Sequence, residues 1–157
     1  MLRQVYWAGF SNPCCGVFQP FYMHGCKVPA SYALGSSTYS ADSPWWQAAR
    51  VKLLCDLNYP ALQPKVREVF DAVEKWVLQR AEQHEADAAR LIRDGRDAAA
   101  VERLQQMVDE DRARIQEHYV ALNRTLPGIL EKAGIRYLYA DYLKGWAKKA
   151  GVPLVGF

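Results

Sequence analysis

Four side chains able to bind a metal or attack a carbonyl fall within thirteen positions: Cys14, Cys15, His24 and Cys26. Thiolate and imidazole suit a tetrahedral metal, and His24 and Cys26 alternate on one face of an extended chain, so both could face a common centre. Cys14 and Cys15 are adjacent, however, and point to opposite sides of an extended backbone, and no Cys-x-x-Cys spacing occurs. The pattern reads as packing or turn cysteines before a metal site, and no metal or other cofactor is expected. A cysteine nucleophile needs a base and a lowered thiol pKa, and the histidines available are His24, His84 and His118. His84 and His118 stand among charged residues of helical segments and read as solvated. His24 is two residues from Cys26, which is not in itself an activating geometry. Glu82 and Glu85, and Asp109, Glu110 and Asp111, lie among arginines and read as salt-bridged surface. No Gly-rich phosphate cradle is present, and no catalytic, cofactor-binding or metal residue is assigned from these patterns.

The elements that must position these residues change character near position 43. Residues 3–10 and 16–23 are rich in β-formers and read as two strands around the turn Ser11-Asn12-Pro13. Pro20 cannot donate to a ladder, so the second strand is bent, bulged or on an edge there. Such a hairpin needs a larger sheet or helices to pack against. Residues 24–43 read as a long loop, of the kind that is functional or drapes over a partner. Asp42-Ser43-Pro44 is a helix start with Asp42 or Ser43 as cap, and the helix spans residues 44–57. It carries Trp45 and Trp46, one expected on the preceding strands and the other on the following helices. Apolar residues three and four apart then predict long helices over about 62–93 and 98–125. They form an αα-hairpin over about 62–126 with arms on the order of 40 Å. Pro127-Gly128 ends or kinks the second arm, and shorter segments follow at 129–133 and 137–150. The predicted class is α+β: an N-terminal antiparallel β-hairpin, then a mainly helical region with a long αα-hairpin. Residues 1–157 form a single domain, with hairpin and loop over 1–43 and the helical region over 44–157.

With 157 residues, half of them hydrophobic and about a quarter charged, the chain belongs to the globular class and should bury roughly 70% of its unfolded surface. The net charge of +3 is small and the charges alternate, which argues against a nucleic-acid partner. The most basic stretch, residues 136–149, carries Arg136, Lys144, Lys148 and Lys149 against Asp141 and reads as a solvated helix face. No secretion signal or membrane-length apolar run is seen, so a cytoplasmic location, reduced thiols and no membrane partner are expected.

Asn12-Pro13-Cys14-Cys15-Gly16-Val17-Phe18-Gln19-Pro20-Phe21-Tyr22, then Ser31-Tyr32, then Tyr39-Ser40-Ala41-Asp42-Ser43-Pro44-Trp45-Trp46 and the helical hairpin, resemble the C-terminal part of the C69 dipeptidases and secernins. The resemblance covers about residues 5–122 and is most specific over residues 42–46. It implies an N-terminal-nucleophile hydrolase ancestry, with an αββα fold in which an amino-terminal cysteine attacks an amide and its own α-amino group serves as base. Here Met1 precedes Leu2, and Cys14 and Cys15 match a turn of the family pattern rather than its nucleophile. The expectation is a C-terminal part of a C69-like cysteine dipeptidase, inactive alone, that pairs with a second chain carrying the N-terminal half. The alternatives are a non-enzymatic helical interaction module or homo-oligomer, and a self-contained thiol or metal enzyme using Cys14, Cys15, His24 or Cys26.

Overall fold

The computed structural model describes residues 4–23 and 25–154. Strands β1 (Val5–Gly9) and β2 (Phe18–Tyr22) form the predicted antiparallel hairpin, with Val5 opposite Tyr22 and Gly9 opposite Phe18. Between them the Asn12 side chain accepts a hydrogen bond from the Cys14 N–H at 3.0 Å and opens a 3-10 turn, Pro13–Cys15. The Met23 N–H donates to the Gln4 carbonyl at 3.0 Å, so that opposed pair is hydrogen-bonded. Bonded and unbonded pairs alternate along an antiparallel ladder. Tyr6–Phe21 and Ala8–Gln19 therefore bond to each other, whereas Trp7 and Pro20 face outward from the ladder. Pro20 costs no bond because it occupies an outward position of an edge strand. Among the described residues the sheet has two strands, and helices hold it.

Four helices follow: α1 (Pro44–Leu57), α2 (Tyr59–Arg93), α3 (Asp97–Ala133) and α4 (Ala140–Ala150). Ser43, not Asp42, caps α1, its Oγ accepting from the Trp46 N–H at 3.4 Å. The αα-hairpin is longer than predicted, with arms of 35 and 37 residues, about 55 Å each. At its start Pro60 lies in the first turn of α2, where a missing N–H forfeits no helical bond. At its end Pro127 neither stops α3 nor leaves a broken bond. The carbonyl that its missing N–H orphans is that of Asn123, four residues back. Arg50 Nη1 donates to that carbonyl at 2.8 Å, while Arg50 Nε donates to the Pro153 carbonyl at 2.7 Å.

The largest core lies among α1, α2 and α3, where Leu54, Leu62, Phe70, Tyr119 and Leu126 are buried. A second core, of Phe21 and Tyr22 against Ala88, Leu104, Met107 and Val108, seats the β-hairpin on α2 and α3. The third holds Trp46 against Ala147, Ala150 and Val152, so this indole packs on α4. Trp45 is half exposed and meets Trp46 edge to face at 4.6 Å, rather than packing on the strands. The long loop drapes over its own chain. Lys27 N–H donates to Gln105 Oε1 at 2.6 Å, Tyr32 packs on Phe10 and Phe21, and Tyr39 N–H donates to the Ala150 carbonyl at 2.7 Å. Gly25, at φ 90°, lies where a Cβ would come within 3.0 Å of Val101.

Candidate functional site

The thiols separate into two places. The Pro13–Cys15 turn lays Cys15 into the main core beside Cys55 of α1, both fully buried and hydrogen-bonded to each other. That bond lowers the Cys15 pKa and, with burial, raises that of Cys55. Cys14 is exposed and meets the hydroxyl of Tyr59, whose pKa it pushes up to about 12. Cys26, in the loop after β2, lies against α3 instead, its Sγ 3.9 Å from the Val101 carbonyl, and burial raises its pKa. His24 lies outside the described residues. Cys14 and Cys15 thus do not converge with Cys26, and among the described residues no cluster of metal-ligating side chains forms. Cys15 has the lowered pKa of a nucleophile but is sealed from any substrate.

Charge pattern alone misses one perturbed carboxylate. Asp111 reads as surface in the sequence but is completely buried, its Oδ1 accepting from Arg80 Nε at 2.9 Å. Burial pushes its carboxyl up to about 6 despite Arg80, and its Oδ2 has no partner among the described residues. Around it, Gln19 donates to the Val108 carbonyl at 2.6 Å and accepts from the Tyr32 hydroxyl at 2.6 Å, and the Tyr22 hydroxyl donates to Glu85 at 2.7 Å. His84, expected to be solvated, is also buried there, 3.4 Å from the Arg103 carbonyl, and burial lowers its pKa. Glu110 pairs with Arg80 at the surface, as its sequence context predicts. The polar atoms of this group join the hairpin to α2 and α3. Its arrangement is that of a polar core rather than an active site.

The outward features of the hairpin are different. Val5, Trp7 and Gly9 direct their N–H and C=O groups off the edge of β1 that has no neighbouring strand among the described residues, by the alternation established above. Tyr6, Trp7 and Phe18 are exposed beside that edge. An unpaired edge flanked by aromatics is a template for another strand, and proteins usually blunt such an edge with charge, proline or a covering loop. None of the five β1 residues is charged or proline. Compared with known proteins, the chain matches no family model, no curated protein and no solved structure.

Proposed function

We propose that the chain is the non-catalytic, C-terminal half of a C69-like amide hydrolase, completed by a second chain that carries the amino-terminal nucleophile. The observation that carries this reading is the free β1 edge. A two-stranded sheet whose inner strand is locked onto the helices, and whose outer strand offers three unused peptide groups, suits extension by strands from a partner. The dipeptidase-like pattern over residues 12–46 supports this kind of partner, since such a hydrolase uses an amino-terminal nucleophile. No residue of this chain is assigned a catalytic role. It contributes hairpin, pocket wall and helical body.

Affinity purification of the tagged chain from its native cells, with intact masses of what accompanies it, tests the reading. The expected result is a stoichiometric second chain whose mature N-terminus is cysteine, and dipeptide hydrolysis by the complex only. Trp7→Pro removes an outward N–H without touching the β1–β2 ladder, so it should abolish that association while the chain stays folded. Recovery of the chain alone, or as a homodimer that Trp7→Pro dissociates, would replace the split hydrolase by a self-contained interaction module.

A further inference from the structure

A second surface is independent of the hairpin edge. Helix α4 turns Leu143, Ala147 and Ala150 inward onto Trp46, Ala49 and Leu53 of α1. On a helix, Tyr139, Tyr142 and Trp146 follow one another at three- and four-residue steps, so they form a single aromatic stripe beside that buried one. The stripe is open to solvent, with Tyr142 73% and Trp146 39% exposed. The connection into α4 extends it. Leu138 stands 85% exposed between exposed Tyr137 and Tyr139, and the backbone there is pinned, because the N–H groups of Arg136 and Tyr137 both donate to the Leu57 carbonyl. At the other end a cavity of about 400 Å³ is lined by Trp45, Trp146, Thr38 and Lys149.

Charge singles out the same region. Residues 131–154 hold Lys132, Arg136, Lys144, Lys148 and Lys149 against Glu131 and Asp141, which equals the net +3 of the entire chain. Lys144 lies 3.8 Å from Asp141, but among the described residues Lys148 and Lys149 form no ion pair and are exposed. On α2 and the first half of α3, by contrast, Arg67, Arg80, Arg90 and Arg103 are all paired with carboxylates.

We propose that this face, residues 136–149 together with Trp45, docks on an anionic lipid bilayer, lying in the interface without crossing it. Tyrosine and tryptophan place an apolar ring and a polar tip at the headgroup boundary, and unpaired lysines around them attract anionic headgroups. Lysine is the reason to choose lipid over a protein partner, because protein interfaces are enriched in tyrosine, tryptophan and arginine but depleted in lysine. The exposed Leu138 favours lipid over nucleic acid, which offers its phosphates no apolar layer to receive a leucine. The cavity beside Lys149 has room for a headgroup phosphate. This assignment differs from the solvated helix face expected from the sequence, since the exposed side is aromatic as well as basic. No helix among the described residues is long and apolar enough to cross a membrane.

Flotation of the full chain with vesicles of phosphatidylcholine alone, or with about a third phosphatidylglycerol, tests the proposal. Binding to the anionic vesicles only is expected, lost at high salt. Lys148→Ala with Lys149→Ala should weaken it roughly 25-fold, about fivefold per lysine. Leu138→Asp should weaken it at least about tenfold, because a carboxylate replaces the most exposed apolar group. All three positions are exposed, and unchanged circular dichroism and unfolding midpoints would confirm that the variants fold. Equal binding to both vesicle types, no binding to either, or full binding by the double lysine variant would overturn the proposal. So would binding to a single-stranded oligonucleotide, lost in that variant, without vesicle binding. The Trp7→Pro variant should bind vesicles like the native chain, so failure here and failure of the split-hydrolase reading are separate results.

Discussion

The Asp111 carboxylate is buried against the Arg80 guanidinium, and its Oδ2 has no partner among the described residues. Its neighbours Asp109 and Glu110 make it look like surface, yet Leu104, Met107, Val108, Ile115 and Tyr119 form a buried stripe, and position 111 lies four residues from both Met107 and Ile115. The same reasoning locates His84 between Ala81 and Ala88 on the buried side of α2. Because the folded pKa of Asp111 is raised from 3.8 to about 6, the native chain binds a proton that the unfolded chain has released between those values. Its contribution is therefore most favourable below about pH 4 and is lost as pH rises through about 6, on the order of 3 kcal/mol. Urea unfolding of Asp111→Asn and the native chain at pH 4 and pH 7.5 should show the variant gaining on the native chain by about that amount. A difference that does not change with pH would contradict it. Cysteine reactivity makes a second prediction at this scale. With iodoacetamide, peptide mass mapping should show Cys14 alkylated first, and Cys15 and Cys55 only after unfolding, since both are sealed in the core. Early modification of Cys55 would mean that the Pro13–Cys15 turn opens in the native state.

Helix α3 continues through Pro127 because a residue from another element supplies the missing donor. The proline predicts an end or a kink, and sequence periodicity carries no information about the guanidinium of Arg50, 73 positions away from the carbonyl it satisfies. Arg50 is itself 8% exposed and holds the Pro153 carbonyl as well, so it ties α1, α3 and the segment after α4 together. Replacing it with methionine leaves two carbonyls without donors and should cost about 3 kcal/mol. Pro127→Ala restores an N–H to Asn123 within the helix, so the same Arg50→Met change made on that background should cost about 1–2 kcal/mol less. A double-mutant cycle by denaturant unfolding measures this, and strict additivity would show that Arg50 does not substitute for the helical bond. The neighbouring Asn123, whose Nδ2 donates to the Gln47 carbonyl at 2.9 Å and to its Oε1 at 2.7 Å, holds the same α1–α3 contact in register.

Across the whole molecule, a hairpin that would be marginal alone is made part of the fold by long-range bonds. Tyr119 accepts from the Val17 N–H at 3.3 Å, Gln19 reaches α3 and Tyr22 reaches α2. These bonds fasten β2, whereas among the described residues β1 is hydrogen-bonded to β2 and packs Val5 and Ala8 on the second core. Amide hydrogen exchange should accordingly show Tyr6 and Ala8 protected and Val5, Trp7 and Gly9 exchanging fast in the isolated chain, with the fast set becoming protected when a partner strand adds. Uniform protection along β1 in the isolated chain would mean that its edge is already covered. The sequence by itself determined the α+β class, the strand–turn–strand order, the start of α1 at Pro44 and the existence of both long helices. Those features follow from local chemistry: alternation, caps and three-to-four spacing act over a few residues. Tertiary structure alone decided that Cys15 meets Cys55, that Asp111 is buried, that Pro127 is spanned, and that Trp46 faces α4 while Trp45 faces solvent. Each of those depends on which distant group supplies a contact or a donor, and pattern within one segment carries no term for that.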